Sequence, residues 1–319
     1  MIDVIIPTKN SEGTLEVCLK SLRQQTIPVR IIIVDGCSTD KTLEIAKKYG
    51  CEIYDEPKSL GKGSKRAVAC NQGLMHVTSD LVAFLDSDTE VPHTWADDME
   101  EMFSDLNNFG EMPIAGISSG CVPDASSELS QEINSVMKLA SNHSQKYDDF
   151  TYVNSLPGYN SVYRTKAIAD VDGFNEDIGG AEDYEMNYRL RKRGYRLLGV
   201  PNSPVIHHER KTIKQFQKQI FGYGWSWGRM LRVKHFYLPS RSLPSLLILL
   251  SPVFFFIPYF IGTRPLIDCI GAFFGSWGLI FTIMSVDLKN HHNYTVLRVA
   301  IILGFYFGIG YIKAIIQDS

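Results

Sequence analysis

Little in this 319-residue chain points to a zinc site, a nucleic-acid partner or an export signal. Its six cysteines, Cys18, Cys37, Cys51, Cys70, Cys121 and Cys269, include no C-x-x-C pair, so the usual zinc-site spacing is missing. Scattered thiols of this kind fit a reducing compartment. Lys and Arg (32) nearly balance Asp and Glu (35), a net charge of −3, which gives no reason to expect nucleic acid as a partner. The N-terminus enters the strand-like run Val4-Ile5-Ile6 at once. It lacks the basic start and apolar core of a signal peptide, so the front of the chain is expected to stay in the cytoplasm. Charge itself is missing from the back. Between Leu243 and Val286 the only charged residues are Arg264 and Asp268.

What is present in front is an alternation of two periodicities. Val4 to Pro7, Ile31 to Val34, Cys51 to Tyr54 and Leu81 to Leu85 read as strands. Leu15, Cys18, Leu19 and Leu22 mark one face of a helix. Thr39 to Lys48 and Ser64 to His76 read as further helices, with Ser38 or Thr39 expected to cap the first of these. Strands alternating with helices imply an α/β fold with a parallel sheet covered on both faces. Further along, Trp95 to Leu106 reads as a helix, Ile114 to Val122 as a strand, and 124–150 as helix plus loop. Ala181 to Arg193 reads as a helix that stops at Gly194, and Arg196 to His208 as two short strands around a Pro-Asn-Ser-Pro turn. Arg189 and Arg193 are expected to be solvated helix-face charges.

The back is expected to meet a membrane. Over Thr212 to Lys234, Phe216, Ile220, Tyr223, Trp227 and Leu231 recur at three- and four-residue steps, with Lys214, Lys218, Arg229, Arg232 and Lys234 as a basic side. That suits a helix lying at an anionic lipid surface. Three apolar segments follow, about 243–261, 265–286 and 296–316, each close to the roughly 20 residues that cross a bilayer. The basic residues before the first segment place that side in the cytoplasm. The expected organisation is a catalytic domain over 1–210, an interfacial helix over 211–241, and a membrane region of about three hydrophobic helices over 242–319.

Ligands of open parallel sheets bind at the carboxyl ends of the strands. Four polar clusters fall there: Pro7-Thr8-Lys9-Asn10, Asp35-Gly36-Cys37-Ser38-Thr39-Asp40, Gly61-Lys62-Gly63 before the third helix, and Asp86-Ser87-Asp88. Each alone reads equally well as a turn or a cap. Together they suit a nucleoside diphosphate, because two carboxylates one residue apart can engage a hard divalent cation and a ribose at once.

The assembled pattern resembles the family 2 glycosyltransferases of GT-A fold, over about residues 1–225. The resemblance implies a nucleotide-sugar-binding domain with a Rossmann-like mixed sheet, followed here by C-terminal transmembrane helices. Pro7, Thr8 and Asn10 match the first-strand signature. Asp35 matches the acid that reads the base, and Asp40 the second acid of that loop. Asp86-Ser87-Asp88 matches the D-x-D signature, with Asp86 and Ser87 towards the nucleotide and Asp88 on Mn²⁺ or Mg²⁺. Lys62 would approach the diphosphate. Gly158-Tyr159-Asn160-Ser161-Val162-Tyr163-Arg164 resembles the acceptor strand, and Asp172-Gly173-Phe174-Asn175-Glu176 a recurrent turn. Glu182-Asp183 resembles the acidic pair under the sugar, with Asp183 as base and Glu182 as orienter or acceptor ligand. His207, rather than its neighbour His208, fits a further metal ligand. A Q-x-x-R-W sequence, which the processive members carry, is absent.

The resemblance implies an inverting transfer from a UDP- or GDP-sugar to a lipid-linked glycan or similar acceptor at the cytoplasmic face of the cell membrane. A polyprenyl phosphate is the alternative acceptor. Two readings from other classes are a nucleotidyltransferase, whose glycine-rich activation loop Pro7-Thr8-Lys9-Asn10-Ser11 matches poorly, and a catalytically silent nucleotide-sugar-binding membrane scaffold, which predicts loss of the acid clusters.

Overall fold

The computed structural model describes residues 1–57, 65–105, 112–122, 124, 126–140, 147–178, 180–208 and 212–230, with 306, 309 and 313 near the C-terminus. The Gly61-Lys62-Gly63 cluster and the three apolar segments lie outside the described residues. Among those that are described, no helix is long and apolar enough to cross a membrane. The chain divides into two compact units. One comprises Met1–Ser126 with Ser141–Glu209, the other Ser127–Ala140 with Arg210–Ser319.

The first unit opens with β1 (Ile2–Thr8), α1 (Leu15–Arg23), β2 (Arg30–Asp35), α2 (Thr42–Lys48), β3 (Glu52–Asp55), α3 (Lys65–Leu74) and β4 (Leu81–Leu85). There follow β5 (Thr89–Glu90), α4 (Trp95–Asp105), β6 (Ile114–Ser118) and β7 (Cys121–Val122). In the second unit α5 spans Glu128–Ala140. The chain then returns to the first unit with β8 (Thr151–Tyr152), β9 (Asn160–Arg164), α6 (Thr165–Ala169), α7 (Glu182–Lys192), β10 (Arg196–Gly199) and β11 (Val205–His207).

Buried runs such as Ile31–Val34 in β2 and Val82–Leu85 in β4 build an eight-stranded sheet of order β3-β2-β1-β4-β9-β6-β10-β8. The half from β3 to β4 is parallel, as the alternation implies. The other half is not. β9 inserts antiparallel between β4 and β6, and β8 pairs antiparallel with β10, so the sheet is mixed. The expected single strand from Ile114 to Val122 is broken at Ser119-Gly120, where Gly120 has φ 70°. Its two halves, β6 and β7, belong to different sheets, and so do β10 and β11.

Other boundaries shift for local reasons. α2 starts at Thr42 rather than Thr39, because the Asp40 carboxylate accepts from Thr42 N (3.0 Å) while Ser38 donates to Asp35 (2.5 Å). Short polar side chains compete for backbone in this way. Arg189 is not a solvated charge. Its guanidinium pairs with buried Glu185 one turn earlier and donates to the carbonyl of Gly173 (2.7 Å). Arg193 is exposed as expected.

α3 packs tightly on the sheet. A Cβ added at Gly73 would lie 2.6 Å from Ile5 Cγ2, inside the core. Overpacking of this kind costs about 1–3 kcal/mol. Gly73→Ala is therefore expected to lower the melting temperature by several degrees in a thermal scan. An unchanged melting temperature would show that α3 is not seated this closely on β1.

In the second unit α8 (Ile213–Met230) exposes Lys214 and Lys218 of the expected basic side, while Arg232 and Lys234 lie outside the described residues. Two residues of the expected stripe, Phe216 and Ile220, are buried, and Leu231 lies outside the described residues. Phe216, Ile220, Gly224 and Gly228 are buried at four-residue steps, whereas Tyr223 is exposed.

Candidate active site

The parallel register sets the carboxyl ends of β2, β1 and β4 side by side, with Thr8 opposite Asp35. Buried Asp35 accepts from Thr8 Oγ1 (3.2 Å), Ser38 N (2.8 Å) and Ser38 Oγ (2.5 Å). The turn after β1 closes on this loop. Asn10, at φ 51°, donates its N–H to Ser38 Oγ (2.8 Å) and accepts from Thr39 N (2.9 Å). Pro7 stands half-buried in β1 opposite Val34. Asp40 is not one of the three residues that could share a cation. Its carboxylate braces the loop, accepting from Glu12 N (3.1 Å) as well as from Thr42. Those hydrogen bonds hold its pKa below the ordinary value against the opposing effect of desolvation.

Asp86, Ser87 and Asp88 follow β4 directly. Ser87 donates to Ser11 Oγ (2.9 Å), tying this turn to the one after β1. The partner of Asp88 comes from the far end of the domain. β11 pairs antiparallel with β5 so that His207 stands opposite Thr89, and His208 N donates to Asp88 O (2.9 Å). His207 Nε2 then lies 3.2 Å from Asp88 Oδ1. One ligand atom each from Asp86, Asp88 and His207 falls within 4.8 Å of the others. Ligands at right angles about 2.1 Å from a small divalent cation are about 3.0 Å apart, so the His207–Asp88 separation suits a shared ion. The two carboxylates are oxygen donors of the kind that hard divalent cations accept, and the imidazole adds a nitrogen donor for a divalent transition metal.

The neighbouring histidine turns elsewhere, as side-chain alternation along a strand requires. His208 Nε2 is 3.4 Å from Glu90 Oε2, and its Nδ1 is 3.7 Å from Asp124 Oδ2. The His207 ring stacks on Tyr159, with centroids 4.5 Å apart.

The acidic pair opens α7. Ala181, at φ 55°, turns the chain into the helix. Asp183 accepts from Gly158 N (3.0 Å) and from Tyr184 N (2.7 Å), one bond to each carboxylate oxygen. Burial pushes the pKa of Asp183 up, while Arg66 and these backbone donors oppose the shift. Burial likewise raises Glu182, against Arg66.

Arg66 carries no signal in the sequence pattern, yet it lies among these groups. It donates to Asp86 Oδ1 from Nε (3.2 Å) and Nη2 (3.0 Å), to Glu182 Oε1 from Nη1 (3.2 Å), and to the Gly158 carbonyl from Nη2 (2.7 Å). A basic pair, Lys65-Arg66, at a helix start reads as solvated surface. Its partners lie 20, 92 and 116 residues away, beyond any local pattern. Lys62 lies outside the described residues.

Comparison with known proteins places this geometry in a family. The pattern of glycosyl transferase family 2 matches residues 3–169, just over half of the chain, and the chain belongs to that family. It is 29% identical over 249 residues to a dolichyl N-acetyl-α-D-glucosaminyl phosphate 3-β-D-2,3-diacetamido-2,3-dideoxy-β-D-glucuronosyltransferase of Methanococcus voltae, covering 74% of this chain and 75% of that one. It is 26% identical over 250 residues to the succinoglycan biosynthesis protein ExoA of Rhizobium meliloti, covering 76% and 72%. Pre-mycofactocin glycosyltransferase of Mycobacterium tuberculosis is 29% identical over 247 residues, but the match spans only 49% of its length.

Among solved structures, a mannosyltransferase of Pyrobaculum calidifontis in complex with GDP-Man and Mn²⁺ superposes with a TM-score of 0.60 at 16% identity, covering 100% of this chain and 88% of that one. Residues 1–349 of S. aureus TarS in complex with UDP-GlcNAc give 0.51 at 17%, covering 98% and 90%. At these identities the likeness establishes the GT-A-like mixed α/β fold.

Proposed function

We propose that this protein is an inverting, metal-dependent glycosyltransferase that moves a sugar from a UDP- or GDP-sugar to a hydroxyl of a lipid-linked glycan. The observation that carries the reading is the convergence of Asp86, Asp88 and His207 beside the strand ends that hold Thr8 and Asp35. Asp88 and His207 would hold the cation, with Asp86 reaching the ribose or the metal, and Thr8, Asn10, Asp35 and Ser87 lining the nucleotide side. A bound divalent cation supplies charge neutralisation for the departing diphosphate.

On the acceptor side Asp183 takes the proton of the attacking hydroxyl. The new bond joins that oxygen to the anomeric carbon. The bond from this carbon to the phosphate oxygen breaks, and the nucleoside diphosphate leaves with the electron pair. A general base must be held within hydrogen-bond reach of the proton it removes, and the two backbone N–H bonds fix Asp183 for that role. A phosphate acceptor is already ionised and needs no base, so the fixed carboxylate favours a hydroxyl acceptor over a polyprenyl phosphate. The name of the Methanococcus voltae relative specifies a dolichyl-linked sugar, which supports a lipid-borne acceptor.

The apolar segments over 242–319 are the membrane anchor in this reading, with the interfacial helix of 211–241 and the catalytic domain at the cytoplasmic face of the cell membrane. Protein expressed with its full C-terminus is expected to stay with membranes after alkaline carbonate washing. Complete release into the wash would remove the anchoring.

The enzymatic test is a panel of UDP- and GDP-sugars offered with a lipid-linked glycan or a polyprenyl phosphate. Metal-dependent nucleotide release with glycan extension is expected for one donor. Extension of the polyprenyl phosphate alone would reverse the acceptor choice. No release from any donor would favour the scaffold.

A further inference from the structure

We propose that Arg66 is a positioning residue that holds the donor-side acid Asp86 and the acceptor-side acid Glu182 in one fixed relation, with Gly158 as the residue that makes room for it. The inference rests on the roles assigned above to the two halves of the site.

The geometry is a fork with three prongs. One guanidinium binds a carboxylate at the end of β4, a carboxylate at the start of α7, and the backbone carbonyl of Gly158 just before β9. The same Gly158 donates its N–H to Asp183. The next residue, Tyr159, accepts at its carbonyl from Thr89 Oγ1 (3.1 Å) and stacks on His207. The segment 158–159 thus touches the metal strand, the turn after Asp88 and the proposed base, and Arg66 joins it to both acids.

The base of the fork is itself anchored. Five residues after Arg66, the Asn71 side chain accepts from Phe174 N (2.9 Å) and donates to Phe174 O (2.9 Å). Gly73 seats α3 against Ile5. The helix that carries Arg66 is held at its far end before the guanidinium reaches the site.

Charge and space both specify this residue. The guanidinium faces Asp86 and Glu182, with Asp183 adjacent. Burial alone would lower its pKa, but these carboxylates hold it well above the ordinary value. A lysine brings the charge on a compact ammonium and lacks the planar fork that reaches three acceptors at once. A Cβ at Gly158 would lie 2.8–2.9 Å from Nη1, Cζ and Nη2 of Arg66, so any other residue there displaces the fork.

A merely structural arginine and a positioning one differ in what their loss does to the folded enzyme. The test uses the full chain in detergent or membranes, with Arg66→Met, Arg66→Lys, Gly158→Ala, Glu182→Gln and the double variant Arg66→Met/Glu182→Gln. Melting temperature, nucleotide Kd, kcat, and the ratio of sugar transferred to donor hydrolysed are each recorded.

A misplacement of about 1 Å caused by a change away from the reacting atoms can cost about 100-fold in kcat. That loss is expected for Arg66→Met, with a falling ratio of transfer to hydrolysis and with nucleotide Kd changed less than kcat. Arg66→Lys should recover only part of the rate. Gly158→Ala should reproduce the defect with Arg66 intact, and it serves if Arg66→Met does not fold. The double variant should be little worse than Arg66→Met alone, since residues acting as one unit are not additive. An Arg66→Met enzyme within about threefold of wild-type kcat, or effects of Arg66→Met and Glu182→Gln that multiply independently, would overturn the role. If wild type releases no nucleotide from any donor, the functional reading fails and takes this role with it. An active wild type with an indifferent Arg66→Met enzyme sinks the positioning role alone.

Discussion

Asp88→Ala is expected to lower kcat for sugar transfer by about 10²–10³-fold or more, the range for loss of one preorganised electrostatic contact at a reacting centre. The residue is buried, and its carboxylate lies 3.2 Å from His207 Nε2 at the turn after β4. Those positions make it the hinge of the proposed cation site. Loss of the carboxylate should also raise the Mn²⁺ concentration needed for half-maximal activity. Asp88→Asn keeps the shape but not the charge, and should fail almost as badly. A thermal scan on the variant separates this loss from misfolding. Near-normal turnover of folded Asp88→Ala would remove the metal role from this turn.

The second large effect concerns the acceptor side. Asp183→Asn is expected to lower kcat by about 10²–10⁴-fold, the usual contribution of a general base, while nucleotide affinity stays close to wild type. Asp183 accepts one backbone N–H on each oxygen. An Asn can accept only one of these, so a stability loss of about 1 kcal/mol should accompany the change.

The pH dependence has a definite sign. Burial raises the pKa of Asp183 above the ordinary value, with Arg66 pulling against it. The base form is therefore lost as pH falls through this raised value, and the acidic limb of kcat should lie above the usual aspartate range. For stability the sign is opposite. A carboxyl whose folded pKa is raised favours folding fully below its unfolded value, and that contribution is lost as pH rises through the folded pKa. Burial raises the pKa of Glu182 as well, so ionising the pair costs stability at neutral pH. A site that carries such a cost is expected where chemistry demands it. A kcat profile flat across the acidic range for both wild type and Asp183→Asn would rule out this base.

Parts of this arrangement are legible in the chain because parallel strands obey a local rule. An apolar run ends, and the next few polar residues face the ligand edge. Thr8, Asp35 and Asp86 were readable for that reason, and the register then sets β1 against β2 and β4. His207 was readable only as a member of a His-His pair after a short strand. The antiparallel pairing of β11 with β5, which carries it to Asp88, is non-local.

Three features were not legible. β9 enters the sheet antiparallel, although nothing in Asn160–Arg164 distinguishes it from a parallel strand. Ile114–Val122 reads as one strand because apolar residues stand at both ends, but the small residues Ser118-Ser119-Gly120 between them form the break, with Gly120 left-handed. Arg66 sits in a basic dipeptide, and its importance arises from partners brought together by the fold. Asp40, expected on the nucleotide side, accepts from Glu12 N and Thr42 N and braces the loop that leads into α2.

In the proposed mechanism a divalent cation held by Asp88 and His207 binds the diphosphate of the donor. Calorimetric titration of the protein with UDP and with GDP, in Mn²⁺ and then in excess chelator, tests it most directly. One nucleotide is expected to bind in Mn²⁺, chelator to weaken its binding at least tenfold, about 1.4 kcal/mol, and Asp88→Ala in Mn²⁺ to behave as wild type does in chelator. Equal affinity with and without the metal, unchanged by Asp88→Ala, would contradict it.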